Sequence, residues 1–351
     1  MTNVTEHVFA VPAEVEPGIL RLTLPLPTGP RHVHCYLLRG EDGWTLVDTG
    51  LGLMETPPGR SPRKSDASRG EDVDTGLSPR PNPWEEIIAG LDAPVVRIFV
   101  THMHPDHVGG AEAAARATGA PVLQGRLDYA QCERVWGSGD WPERIAEWFL
   151  LHGVPADVAE ELIESGHVFA DFVQFAWNPQ LVDPGDEIDG WEVLWTPGHA
   201  DGHLSLRRDG VLIAGDTLLA PITPAIGLYP ESRPDPLGDY LETLASIDAR
   251  VSYGGHGATI DDPPARAREI AAHHDERLDR TEAALGDEPR SGYEVSLALF
   301  GRELPPIQRR FAVAETLSHL ERLVALGRAA RLGDDRGVAY TGRSAGGRDT
   351  A

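Results

Sequence analysis

Cysteine is nearly absent from this sequence: Cys35 and Cys132 are the only two in 351 residues. Two thiols so far apart make neither a disulfide framework nor a four-cysteine zinc site, and they suit a reducing compartment, so a cytoplasmic protein is expected. Lysine is scarcer still, with Lys64 alone. Against 31 basic residues stand 55 acidic ones, a formal charge of −24. Such a chain repels phosphate, and nucleic acid is disfavoured as a partner because binding it needs clustered Lys and Arg. No apolar run approaches the roughly 18 residues that span a bilayer. Met1 to Glu6 has neither the basic start nor the apolar core of a signal peptide. No membrane contact is therefore expected. What the chain does have is 41% apolar residues, over a length that favours two domains.

Three histidines and an aspartate crowd into His102-Met103-His104-Pro105-Asp106-His107. The run Val95 to Val100 before them is short, β-branched and apolar, and reads as a buried strand. The stretch Gly110 to Arg116 after them reads as the start of a helix. The cluster thus lies on a strand-to-helix turn, where side chains converge without breaking a ladder. At a strand end His102 and His104 point the same way, since side chains alternate with period two. Asp106 and His107 are expected to turn back from the loop. Groups gathered this closely suit two metals rather than one.

Matching groups stand at the ends of three later strands. Trp191 to Trp195 leads to His199, Val211 to Gly215 leads to Asp216, and Ala249 to Gly255 leads to His256. Neutral imidazoles and carboxylates without a thiolate suit Zn²⁺, Fe or Mn²⁺. Asp216 has two oxygens with which to bridge two ions. His203, four residues beyond His199, reads as a supporting histidine on the next strand. Tyr229 is a candidate for the substrate pocket, where its hydroxyl would polarise a substrate oxygen, although packing is the preferred reading.

The pattern His102-x-His104-x-Asp106-His107, followed by His199, Asp216 and His256, resembles the metallo-β-lactamase superfamily in its glyoxalase-II-like branch. The resemblance implies an α/β fold, an αββα sandwich, with two divalent cations, Zn²⁺ foremost. It implies His102, His104 and His199 on one metal, Asp106, His107 and His256 on the other, and Asp216 between them. Asp48, in Val47-Asp48-Thr49-Gly50, matches the family's early aspartate, a support rather than a ligand. The β-lactamases of this superfamily put a cysteine on the second metal. Neither Cys35 nor Cys132 falls at such a position, which argues against antibiotic hydrolysis.

Around this frame the composition changes several times. The hydrolase domain is expected over residues 1–263. Cys35 to Arg39 and Trp44 to Asp48 flank Gly40-Glu41-Asp42-Gly43 as a hairpin, with His32 and His34 on the entering strand as edge or pocket-rim residues. Residues 56–83 carry almost no apolar side chains and read as a mobile inserted loop. Residues 126–180 read as a helical insertion, with Ile145, Trp148, Phe149 and His152 on one helix face. Asp209-Gly210 marks a tight hairpin ahead of Asp216. Residues 264–341 read as three helices and a two-stranded wing. They resemble the winged-helix tail of the lactamase-beta-like hydrolases, and residues 342–351 are expected to fray. The tail's Arg309, Arg310, Arg322, Arg328 and Arg331 invite a phosphate reading, but acidic residues nearly balance them, so packing or a homodimer contact is preferred.

The chemistry expected is hydrolysis by a hydroxide held between two cations, whose charge lowers its pKa towards ~7. Asp106 would take up or relay the proton. A small thioester or lactone is the favoured substrate. A phosphodiesterase or endoribonuclease of the winged-helix group is the alternative, and a sulfur dioxygenase or a pseudoenzyme the second.

Overall fold

The computed structural model describes residues 11–27, 29–52, 83–170, 173–286, 288–334 and 337–342. The loop expected at 56–83 and the tail expected at 342–351 lie outside these, except Pro83, which opens a helix, and Gly342, which closes a strand. By its contacts the chain divides into two compact units. One runs to Val100 and includes His104–Leu123 and Val168–Gln180; the other comprises Thr101–Met103, Gln124–His167 and everything from Leu181.

In the first unit, Ala13–Glu16, Ile19–Pro25, His32–Arg39, Trp44–Val47 and Val95–Val100 lie side by side in that order. Their sheet has seven strands and is completed by Val122–Gly125 and Gln180–Val182. Pairing is antiparallel as far as Trp44–Val47, which then runs parallel to Val95–Val100. The strand His32–Arg39 is buried almost throughout and has a partner on both sides, so His34 is not at an edge as expected. The reason is Ile19–Pro25, which covers the outer side and gives the buried His34 a hydrogen-bond partner in the Thr23 hydroxyl, 3.0 Å from its Nδ1. The helix Ala111–Thr118 lays the buried Ala111, Ala113 and Ala114 along Val95–Val100, small side chains allowing close approach. Asp106 and His107 are on the one-turn helix Pro105–Val108 rather than on open loop. Pro105 at its first position has the φ a helix start requires.

The second unit contains a five-stranded sheet in the order Val251–Gly254, Val211–Gly215, Leu204–Arg208, Trp191–Trp195, Glu187–Ile188. The fully buried Val211–Gly215 is parallel to Val251–Gly254 and antiparallel to Leu204–Arg208. Asp209 and Gly210 join the latter pair with φ of 50° and 75°. Two positive φ values make the turn whose twist matches the flanking strands. The helices Arg126–Cys132 and Trp141–Leu151 and the start of Ala156–Ala170 belong to the expected insertion. Ile145 and Phe149, one turn apart, are its buried anchors.

Further on stand Pro236–Ala245, Pro263–Leu285, Gly292–Phe300 and Pro306–Ala325, then the strands Ala329–Asp334 and Gly337–Gly342 with Arg290–Ser291 as a third. Ser291 and Glu294 cap the Gly292–Phe300 helix reciprocally. One apolar core runs through Phe149, Leu162, Leu237, Tyr240, Ile270, Leu317 and Leu320, each contributing roughly 1.5–3 kcal/mol by leaving water. Among the described residues no helix is long and apolar enough to cross a membrane.

Candidate metal centre

In the first unit the strand Trp44–Val47 ends on Asp48, whose φ of 61° is left-handed, a conformation that aspartate tolerates better than most residues. The Phe99 carbonyl accepts the Asp48 N–H at 2.8 Å and holds that bend. Asp48 Oδ2 then lies 2.8 Å from Nδ1 of the fully buried His107. A carboxylate can only accept, so Nδ1 carries the hydrogen and Nε2 presents its lone pair. The Thr49 N–H and hydroxyl both donate to the His107 carbonyl at 2.8 Å. His104 and Asp106 nearby are half-buried. Burial, and then the Asp48 carboxylate, push the Cys35 thiol well up from its ordinary range, so it stays protonated and makes a poor metal ligand.

In the second unit, His102 is fully buried, with Nδ1 3.0 Å from the Thr101 hydroxyl. The next residue is held at both ends. Met103 N–H donates to Asp128 Oδ1 at 2.8 Å, and the Trp136 indole donates to the Met103 carbonyl at 2.9 Å. Asp128, fully buried, also accepts from the Gln124 amide at 2.6 Å. His199 Nδ1 donates to the Ala225 carbonyl at 2.8 Å, which again leaves Nε2 as the donor atom. That Nε2 is 3.6 Å from Asp216 Oδ2, and His256 Nε2 is 3.3 Å from the same oxygen.

His203 is built differently. Its Nε2 accepts the Asp216 N–H at 3.1 Å, so Nδ1 carries the hydrogen and meets the Thr196 and Thr217 hydroxyls at 2.8 and 3.1 Å. With both nitrogens engaged, this ring fixes the backbone of Asp216. Tyr229 stacks on Trp148, with centroids 6.3 Å apart, and the Arg310 guanidinium lies 6.0 Å over its ring; burial pushes its hydroxyl pKa up.

Three groups have the composition of a metal site: His102, His104 and His199; His102, His107 and Asp216; and Asp106, His107 and His256. Within each group the ligand atoms lie within 4.8 Å of one another. Two donors each about 2.1 Å from one tetrahedral cation lie about 3.4 Å apart. The 3.3 and 3.6 Å separations about Asp216 have that spacing. Imidazoles such as His107 and His199, whose Nδ1 hydrogens are engaged, together with carboxylates, are the donors a divalent zinc- or iron-like ion takes. The residues present therefore fit such ions.

Sequence reasoning did not find Asp128, Thr196, Thr217 or the Ala225 carbonyl. None stands at a motif spacing, and a backbone carbonyl leaves no mark in the residue type. Asp128 stands among Gln124, Arg126 and Gln131, so nothing in its neighbourhood sets it apart.

The fold and these groups define a metallo-hydrolase, and the chain belongs to the Metallo-beta-lactamase superfamily, whose family model matches residues 28–256. A second model, the metallo-beta-lactamase-like C-terminal domain, matches residues 278–341. Among its relatives is the "Probable metallo-hydrolase YqjP" of Bacillus subtilis, 27% identical over 88% of this chain and 92% of that protein. A hydroxyacylglutathione hydrolase of Methylobacillus flagellatus is 28% identical over 58% of this chain and 64% of its own length. Among solved structures, a metallo-beta-lactamase family protein of Thermus thermophilus is 35% identical, with a TM-score of 0.75 over 94% of this chain and 100% of that one.

Proposed function

We propose that His102, His104, His199, Asp106, His107, His256 and Asp216 hold two divalent cations, Zn²⁺ foremost, and that the protein hydrolyses a small thioester or lactone. The observation that carries this reading is the shared oxygen of Asp216, at 3.3 and 3.6 Å from two imidazole Nε2 atoms. When bound, such cations supply a water of lowered pKa and a charge that polarises the attacked carbonyl. The chain's own contributions are separate. Asp48 and the Ala225 carbonyl orient His107 and His199, and His203 pins Asp216. Asp106, which is half-buried, would take up or relay the proton of the attacking water.

A carbonyl substrate is supported over RNA by where four of the five tail arginines named above are engaged. Arg309 is buried and donates to the Gly301 carbonyl, Arg322 pairs with Asp235, Arg328 with Asp279 and Glu282, and Arg331 with Glu321. Phosphate binding needs free cationic side chains, and these are engaged within the fold. The name of the Methylobacillus flagellatus relative, a hydroxyacylglutathione hydrolase, supports an acyl substrate as well.

The experiment is metal analysis of the purified protein combined with a panel of acyl-CoA, S-lactoylglutathione, lactones and single-stranded RNA. Turnover of an ester or thioester, lost in His102→Ala and Asp106→Ala, is expected. RNA cleavage without ester turnover, or activity that survives both substitutions, would overturn the reading.

A further inference from the structure

The helix Pro236–Ala245 supplies none of the candidate ligands, yet two of its buried side chains reach the loops that do. The Tyr240 hydroxyl donates to the carbonyl of Thr217, the residue after Asp216, at 2.9 Å. The Thr243 hydroxyl donates to the Pro197 carbonyl, two residues before His199, also at 2.9 Å. Between them Gly198, at φ 131°, packs so closely on Tyr240 that a Cβ there would sit inside the tyrosine's own Cβ and ring. Tyr240 and Thr243 are almost completely enclosed.

The helix is itself anchored from the C-terminal region. Asp235 caps it by accepting the Gly238 N–H at 2.8 Å, and its other oxygen pairs with Arg322 of Pro306–Ala325 at 2.9 Å. The Tyr240 ring stands edge-on to His274, centroids 5.6 Å apart. His319 donates from Nδ1 to the Glu315 carbonyl, so its Nε2 accepts from His274 Nδ1 at 3.2 Å, tying the two long C-terminal helices together behind the tyrosine.

We propose that Tyr240 and Thr243 are positioning residues for the metal centre, setting the spacing of His199 and Asp216 through the Pro197 and Thr217 carbonyls, and that the C-terminal helices serve to hold them there. This rests on His199 and Asp216 being ligands. A bond to a ligand's neighbouring carbonyl fixes where the ligand stands before the ion arrives, and losing such outer support costs a site roughly 10–100-fold in metal affinity.

The test uses the full chain stripped of metal, titrated with Zn²⁺ against a chromophoric chelator and with Co²⁺ followed by its visible spectrum, with thermal melting of the metal-free protein alongside. Tyr240→Phe and Thr243→Val should each weaken Zn²⁺ binding about 10-fold or more and shift the Co²⁺ bands, while Thr243→Ser, which keeps the hydroxyl, restores both. If Tyr240→Phe does not fold, the Thr243 pair carries the comparison. Unchanged affinity and spectrum in the variants, or a loss that follows the metal-free melting temperature and is not rescued by serine, would overturn the positioning role alone. A wild-type protein that takes up no metal would overturn the functional reading and this one with it.

Discussion

His152 offers a sharp test of how the second unit's core is held. It follows the helix Trp141–Leu151, is 2% exposed, and its ring lies 4.6 Å from that of Trp148. Burial first, and the charge of Arg331 second, lower its pKa from 6.5 to about 4. The unfolded chain takes up a proton near pH 6.5 that the folded protein refuses until about pH 4. The neutral ring's contribution is therefore complete above about 6.5 and is lost as the pH falls. At about 1.36 kcal/mol per pH unit the whole effect is on the order of 3 kcal/mol, of which about 2.5 kcal/mol is gone by pH 4.5. The assay is the urea midpoint of metal-free protein between pH 7.5 and 4.5, for wild type and for His152→Phe. Phenylalanine keeps a ring against Trp148 and does not titrate, so its packing cost is the same at every pH and cancels in the comparison. The wild type should lose about 2.5 kcal/mol more than the variant over that range. Parallel curves would refute the claim that this histidine is held neutral by burial.

Two further outcomes follow from the supports of the candidate centre. Asp48→Asn keeps a side chain that tolerates the left-handed backbone at φ 61° but removes the charge facing His107 Nδ1. It should lower Zn²⁺ affinity roughly 10–100-fold with little change in metal-free stability, and an undiminished affinity would sink the role given to Asp48. Asp128→Ala leaves the Met103 N–H and the Gln124 amide without their buried acceptor. At roughly 1–3 kcal/mol per orphaned group, a loss of about 2–6 kcal/mol should appear in urea unfolding, and a loss under 1 kcal/mol would mean water replaces the carboxylate.

The strand ends were legible because each pairs a short apolar run with a polar residue that nothing in the run explains, as Val211 to Gly215 does with Asp216. The Asp209-Gly210 turn was legible because its φ values depend on those two residues alone. The Ala13–Glu16 and Ile19–Pro25 pair was not. The first is half glutamate, and Pro17 and Gly18 interrupt the alternation between them. Glu187–Ile188 is too short to leave a pattern at all. What escaped at the candidate centre was of another kind. Asp128 reaches Met103 across 25 positions and Ala225 reaches His199 across 26. Such pairs are made by the fold, so no window of sequence contains them.

That distribution has a physical reason. A cluster of imidazoles and carboxylates has no affinity of its own without a cation, and Asp216 held 3.3 Å from one Nε2 and 3.6 Å from another gives up hydration. The cost must be met by contacts that exist before any ion binds. The Thr217 carbonyl is bonded by Tyr240, the Asp216 N–H by His203, and the Pro197 carbonyl by Thr243. Each of these engages backbone rather than a side chain of the candidate centre. A preformed site of this kind raises metal affinity by removing the ordering cost from the binding step. The same holds further out, where Arg322 pairs with Asp235 and Arg328 with Asp279 and Glu282, fixing the elements behind Tyr240.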